Sequence, residues 1–130
     1  MAKIIGNALL NIPWQDKPEN LDAPVWRYTE NPIINRHDQK NANSIFNSAV
    51  VPFEDGFAGI FRCDSRSVSM DIFPGFSKDG IHWTISDTPV HFEGDPEVTK
   101  REYRYDPRVL KMDDKYYVTW CNGAHGPTIG

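Results

Sequence analysis

A chain of 130 residues and 14.9 kDa, 39% hydrophobic and 25% charged, has the length and composition of one ordinary folded domain, which excludes a disordered chain and two full-sized domains. Fourteen basic against eighteen acidic residues give a net charge of −4 and a pI near 5.5; with no basic stripe, a nucleic-acid partner is not expected. No apolar stretch is long enough for a membrane, the run Met1–Leu10 breaks at Gly6-Asn7, and Cys63 and Cys121 are the only thiols, so a cytoplasmic protein with no membrane partner is expected.

Ten prolines and nine glycines are spread along the chain, and no long window has the apolar spacing of a helix. Residues 1–43 set Trp14, Trp26 and Tyr28 among Pro13, Pro18, Pro24 and Pro32. They read as an extended arm that lays aromatic anchors on a core built later. From Ser44 onward short apolar runs alternate with turn residues. Ile45–Phe53 and Phe57–Phe61 flank Glu54-Asp55-Gly56, an Asp-Gly hairpin signal. Met70–Phe76 and Ile81–Ile85 flank Ser77-Lys78-Asp79-Gly80, and Val109–Met112 and Tyr116–Cys121 flank Asp113-Asp114-Lys115. The pattern predicts an all-β fold of antiparallel meanders.

The first meander aligns with a later one, either as a repeat or because any two hairpins with a turn Asp and aromatic strands align in this way. A single offset places Asn47 on Asp106, Val50 on Val109, Asp55 on Asp114, Phe57 on Tyr116 and Phe61 on Trp120. The first copy has four strand-like runs ending near Ile85. The second has two, so the chain is expected to stop inside its second blade.

Tyr103-Arg104-Tyr105-Asp106-Pro107-Arg108 is the densest group of polar function. A residue before proline is pushed to extended backbone, so Asp106 is expected at the mouth of a strand. Tyr105 and any nearby tryptophan would raise its pKa by desolvation, whereas Arg104 or Arg108 at contact distance would lower it; the sequence leaves both open. Asn47-Ser48 holds the equivalent strand start in the first copy, and Arg62-Cys63-Asp64 lies at the end of the next strand. Antiparallel neighbours bring these positions to one end of the sheet. An amide, a guanidinium and a carboxylate converging there suit the vicinal hydroxyls of a sugar, although Arg62 and Asp64 could simply pair with each other. Ser77-Lys78-Asp79-Gly80-Ile81-His82-Trp83 reads as a structural Asp-box turn. His37, His82, His91 and His125 share no ligand spacing and neither cysteine sits in a Cys-x-x-Cys, so no metal site is expected. No glycine-rich phosphate loop or nucleophilic serine elbow is present.

Taken together, Asn47-Ser48-Ala49-Val50-Val51-Pro52, Phe61-Arg62-Cys63-Asp64, Ser77 through Trp83, Tyr105-Asp106-Pro107-Arg108-Val109, Tyr116 through Asn122 and His125 through Gly130 closely resemble the glycoside hydrolase family 130 mannoside phosphorylases. The order and spacing match over residues 30–130. The nearest branch acts on β-1,4-mannooligosaccharides or on mannosyl-N-acetylglucosamine. The resemblance implies a five-bladed β-propeller of which this chain covers about the first two blades. On that division 1–43 is the arm, 44–105 the first blade with its connection, and 106–130 the start of the second. It also implies inverting phosphorolysis of a terminal β-mannoside to α-mannose 1-phosphate, with inorganic phosphate as co-substrate and no other cofactor. A single carboxylic acid suffices for this, because phosphate needs no base to make it a nucleophile.

By the same resemblance Asp106 is the catalytic acid, its proton travelling through the sugar's 3-hydroxyl. Asn47, Arg62 and Asp64 line the mannose site, with Ser48, Tyr105, Arg108, Asn122 and His125 as further substrate-binding residues. The partners implied are a β-mannoside oligosaccharide and phosphate. A homo-oligomer and the identity of the acceptor, whether mannose, glucose or N-acetylglucosamine, stay open. Two departures stand out. Gly123-Ala124 replaces an acidic and an aromatic residue of the family's acceptor loop, and the family's phosphate-binding residues belong to later blades, so these 130 residues alone are expected to be inactive. The competing readings are a five-bladed hydrolase of the arabinanase type, against which Asn47 counts, and a truncated non-catalytic remnant that binds glycans or serves assembly.

Overall fold

The computed structural model describes residues 15–94 and 103–122 and the backbone of 128–129. Among these, the chain forms two antiparallel sheets and no helix. The first sheet runs β1 (Ala42–Phe53), β2 (Gly56–Ser65), β3 (Met70–Ser77), β4 (Thr84–Ile85) in chain order, and the second β5 (Arg104–Met112), β6 (Lys115–Asn122), β7 (Thr128–Ile129). The third strand of the second sheet lies inside the chain, where the sequence pattern shows only two. It pairs through just Cys121 with Ile129 and Asn122 with Thr128, too short a stretch to leave an apolar run.

Alternation builds the core. Along β2, Phe57, Gly59, Phe61 and Cys63 point inward, so Arg62 and Asp64 must face the other side of the sheet. Phe61 is fully buried and clusters with Ala42, Cys63, Phe73 and Ile85, flanked by Ile34, Ile45 and Trp83. The cross-strand partners Gly59 and Gly75 make room for its ring: a Cβ on either would stand 2.6 or 2.8 Å from Phe61 carbons. Trp83 closes the ring from its edge, at 5.0 Å between centroids and 69° between planes.

Both long hairpins close with two-residue turns, Glu54-Asp55 and Asp113-Asp114, whose first residues have positive φ of 50° and 52°. Right-handed strand twist selects such turns. Gly56 is therefore not the turn residue that an Asp-Gly signal suggests. It is the first residue of β2, and it is glycine because a Cβ there would meet the Ser77 carbonyl oxygen at 2.3 Å.

The β3–β4 turn is tied by side chains. Ser77 Oγ accepts from the Gly80 N–H at 2.9 Å, and Asp79 Oδ1 accepts from the Ile81 and His82 N–H groups at 2.9 and 2.8 Å. His82 Nδ1 lies 2.7 Å from Asp79 Oδ2, and Trp83 Nε1 donates to the Gly80 carbonyl at 3.0 Å. These bonds absorb Ile81, His82 and Trp83 into the turn, which is why the strand expected from Ile81 starts only at Thr84.

Among the described residues of the arm, Ile34 packs against the core and Tyr28 is half-buried. Gln15 accepts from the Thr29 N–H at 2.8 Å, and its carbonyl takes the Trp26 indole N–H at 3.2 Å; Trp26 itself is exposed, and Trp14 lies outside the described residues.

Candidate active site

The repeat seen in the sequence reappears in the backbone. β1 is bulged between Phe46 and Ala49, and β5 between Tyr105 and Arg108. Inside these bulges Asn47 and Asp106, 59 residues apart, have φ of 38° and 50°. Asp106 thus lies in the left-handed region, two residues into its strand, and not in the extended conformation that a following proline favours. A bulge leaves its extra residue outside the ladder, and Asn and Asp tolerate left-handed backbone better than most residues.

The two bulges face each other across the seam between the sheets. Asn47 Nδ2 donates to Asp106 Oδ1 at 2.5 Å, and Arg62 Nη1 donates to the same oxygen at 3.1 Å. The other edge of the Arg62 fork is bidentate to Asp64, Nε to Oδ1 at 2.8 Å and Nη2 to Oδ2 at 2.9 Å. Two aromatics hold the guanidinium from its faces, Phe46 at 5.2 Å and Tyr105 at 5.5 Å. Phe46 is the counterpart of Tyr105 under the same offset. Sequence reasoning missed it, although the repeat that aligned Asn47 with Asp106 would have found it.

The electrostatics follow from these contacts. The Asn47 hydrogen bond, followed by the hydrogen bond and charge of Arg62, holds the Asp106 carboxyl below the usual carboxylate range; partial burial opposes this and Arg108 assists. Arg62 is stabilised in its charged form chiefly by the Asp64 hydrogen bond. The cation beside Asp106 is therefore Arg62 from the first sheet. Arg104 points into the protein, and Arg108 Nη1 donates to the Pro107 carbonyl at 2.8 Å. Both donors converge on Oδ1, and Oδ2 has no protein donor among the described residues.

Asn47, Arg62, Asp64, Tyr105 and Asp106 form one cluster, with Arg108 close enough to act through its charge. Ser48 is exposed beside Asn47 on a cleft of about 520 Å³ whose walls include Arg27, Asn31 and Phe46. A second cleft, of about 430 Å³ among Glu54, Lys78 and His82, contains none of these residues. Asn122 pairs in register with Arg104; its buried Oδ1 has no hydrogen-bond partner among the described residues, and no hydrogen bond links its side chain to the cluster. His125 lies outside the described residues. Among the described residues there is no group of three His, Cys, Asp or Glu side chains that could hold a metal ion, and no helix long and apolar enough to cross a membrane.

A family model described as beta-1,4-mannooligosaccharide phosphorylase matches residues 9–130. The chain belongs to glycoside hydrolase family 130. A curated relative in this family, the β-1,4-mannooligosaccharide phosphorylase of Ruminococcus albus, is 51% identical over 136 aligned positions, which cover 98% of this chain and 40% of the relative. The chain thus spans about two-fifths of the length of that protein. Among solved structures, one concerns family 130 glycoside hydrolases that target β-1,2 mannosidic linkages in Candida mannan (TM-score 0.63, 20% identity, 79% of this chain and 35% of the other). Another is a glycoside hydrolase from Parabacteroides distasonis (TM-score 0.65, 18% identity, 80% and 37%). A third is a glycosyl hydrolase from Bacteroides ovatus (TM-score 0.62, 20% identity, 79% and 36%). These likenesses place the two sheets in the five-bladed propeller fold of family 130, of which the chain covers a part.

Proposed function

We propose that this chain supplies the mannose-holding and proton-donating residues of a β-1,4-mannooligosaccharide phosphorylase. The 51% identity to the Ruminococcus albus enzyme, spread over 98% of this chain, carries the reading. The cluster at the seam supports it chemically. Its second carboxylate, Asp64, has both oxygens engaged by Arg62, a poor arrangement for the water-activating base that an inverting hydrolase needs.

In this reading a phosphate oxygen attacks the anomeric carbon from the face opposite the leaving group. As that C–O bond forms, the glycosidic C–O bond breaks. The departing oxygen takes the 3-hydroxyl proton, which Asp106 Oδ2 replaces. The products are α-mannose 1-phosphate and the shortened sugar, with Asp106 left ionised. The donors on Oδ1 stabilise that ionised form, making Asp106 a strong acid once protonated but keeping the protonated form scarce in the open site. A sugar seated over the carboxyl removes water from it and shifts the balance back toward the acid. Asn47, Ser48, Arg62, Asp64, Tyr105 and Arg108 are read as its contacts, with Asn122 and His125 completing the set. Phosphate is the co-substrate, no other cofactor enters, and the setting is the cytoplasm.

The test is made on a protein that carries this chain at the length of its curated relative. Incubation with β-1,4-mannobiose and inorganic phosphate, followed by phosphorus NMR, is expected to show α-mannose 1-phosphate formed only when phosphate is present. Release of free mannose at equal rate without phosphate would replace the reading with a hydrolase.

A further inference from the structure

Arg104 is 5% exposed, although it is the position on β5 that repeats Ile45 of β1. Ile45 packs against the apolar core. An aliphatic side chain therefore satisfies this place in the strand, and a buried guanidinium gains no stability over one unless something else is obtained. Arg104 reaches out of its own sheet. Nη1 donates to the Val90 carbonyl at 3.2 Å and lies 3.8 Å from Asp71 Oδ1 on β3. Val90 is itself fastened to β3, its N–H donating to the Ile72 carbonyl at 2.9 Å. The rings of Phe92 and Trp120, 4.4 Å apart, lie 4.9 and 5.7 Å from the guanidinium. A single side chain on the second sheet thus grips the first sheet at two neighbouring residues, Asp71 directly and Ile72 through Val90.

Two residues along β5 from this grip stands Asp106, whose donors Asn47 and Arg62 both belong to the first sheet. We propose that Arg104 is a positioning residue, fixing the two sheets in the alignment that sets Asp106 against Asn47 and Arg62. Its consequence for catalysis rests on the function proposed above; its consequence for the geometry does not. Arg104 does not touch Asp106 and acts through the strand between them.

The experiment follows the Asp106 carboxyl by carboxyl-carbon NMR titration in the full chain. In Arg104→Met the sheets lose their tie, the donors on Oδ1 loosen, and the Asp106 midpoint is expected to rise by about one unit. Asp71→Asn keeps the size and the oxygen that accepts from the Ile72 N–H. It removes a negative charge, which by electrostatics alone would lower the midpoint, yet it is expected to raise it. Arg104→Lys keeps the charge and should recover part of the shift. A merely structural role would lower the melting temperature and leave the Asp106 midpoint in place; unchanged midpoints in folded Arg104→Met and Asp71→Asn overturn the proposal. Should Arg104→Met fail to fold, Asp71→Asn decides. In the longer active protein Arg104→Met should lower kcat by about a hundredfold, as a misplacement near 1 Å would. If Asp106→Asn leaves phosphorolysis intact, the functional reading fails while the titration still judges the alignment.

Discussion

The two hairpins β1–β2 and β5–β6 share a backbone and differ in chemistry. Each has a two-residue turn opened by a left-handed residue and a bulge with a left-handed residue inside it, at positions one constant offset apart. Yet the bulge carries a neutral amide in the first copy and a carboxylate in the second. The cation that joins them, Arg62, has Cys121 as its counterpart, and the buried Arg104 has Ile45. The bulge is a device for aiming a side chain across the seam. What it aims was free to diverge, because a residue outside the ladder contributes little to pairing. The cluster at the seam is what two similar hairpins form when their bulges carry unlike charges.

The sharpest way to break this contrast is to make the copies alike. Asp106→Asn turns the second bulge into the first, and in a protein of the relative's length the rate of α-mannose 1-phosphate formation should fall by about 10²–10⁴-fold. Near-native circular dichroism would accompany the loss. Retention of more than about a hundredth of the rate would remove Asp106 from the role of acid.

The copies also differ in how they are supported. Val51 is buried in the first sheet, whereas Leu110, its counterpart in the second, is exposed. Urea unfolding of the 130-residue chain should show Val51→Ala costing about 1.5–3 kcal/mol and Leu110→Ala within about 0.5 kcal/mol. Equal costs would mean the second sheet has a core of its own.

A smaller difference lies in the turns. Hydrogen bonds from the His82 side chain and backbone, then from Ile81, hold the Asp79 carboxyl well below the ordinary range; Asp113-Asp114 carries no such set of side-chain bonds among the described residues. Because its folded pKa lies below the unfolded value, Asp79 contributes stability above the unfolded carboxylate pKa and loses it as pH falls through the folded one. Melting temperatures measured from about pH 6 down to pH 2 should drop less steeply in Asp79→Asn than in the parent. Parallel curves would show that the tied turn contributes nothing to acid sensitivity.

The weakest effect concerns the thiols. Burial, with the charges of Asp64 and Asp71, pushes the Cys63 thiol up to about 12, while Cys121 is half-buried and both are free. A thiol reagent at neutral pH should label Cys121 first, and Cys63 only as the fold opens, because the thiolate is the reactive form. Simultaneous labelling would contradict the packing around Phe61.

The hairpins were legible in the sequence because turn residues and period-two alternation act locally. The approach of Asn47 to Arg62 was legible as well, since antiparallel pairing brings one strand's start beside its neighbour's end, whereas Asp106 joins them from the other sheet, across the seam. Local rules failed where one residue answers to two demands. Pro107 asks Asp106 for an extended backbone, but the bulge requires a left-handed residue there, and the bulge prevails. Arg104 and Arg108 are nearer to Asp106 in sequence than Arg62, yet Arg62 makes the contact, because Arg104 is turned toward Val90 and Asp71 and Arg108 Nη1 donates to the Pro107 carbonyl. The burial of Arg104 was not read, although the offset that sets Asn47 on Asp106 also sets the apolar Ile45 on Arg104.

Arg62 has little freedom left to lose. Its fork is spent on Asp64 and Asp106, its faces are stacked by Phe46 and Tyr105, and Met70 Sδ lies 3.2 Å from Nη2. Ordering a free arginine side chain costs up to about 2 kcal/mol, and here that cost falls on folding instead of on ligand capture. On the function proposed above, a sugar seated here would meet donors and acceptors already set in place, so its affinity would be reduced by its own loss of motion and hardly by that of the protein.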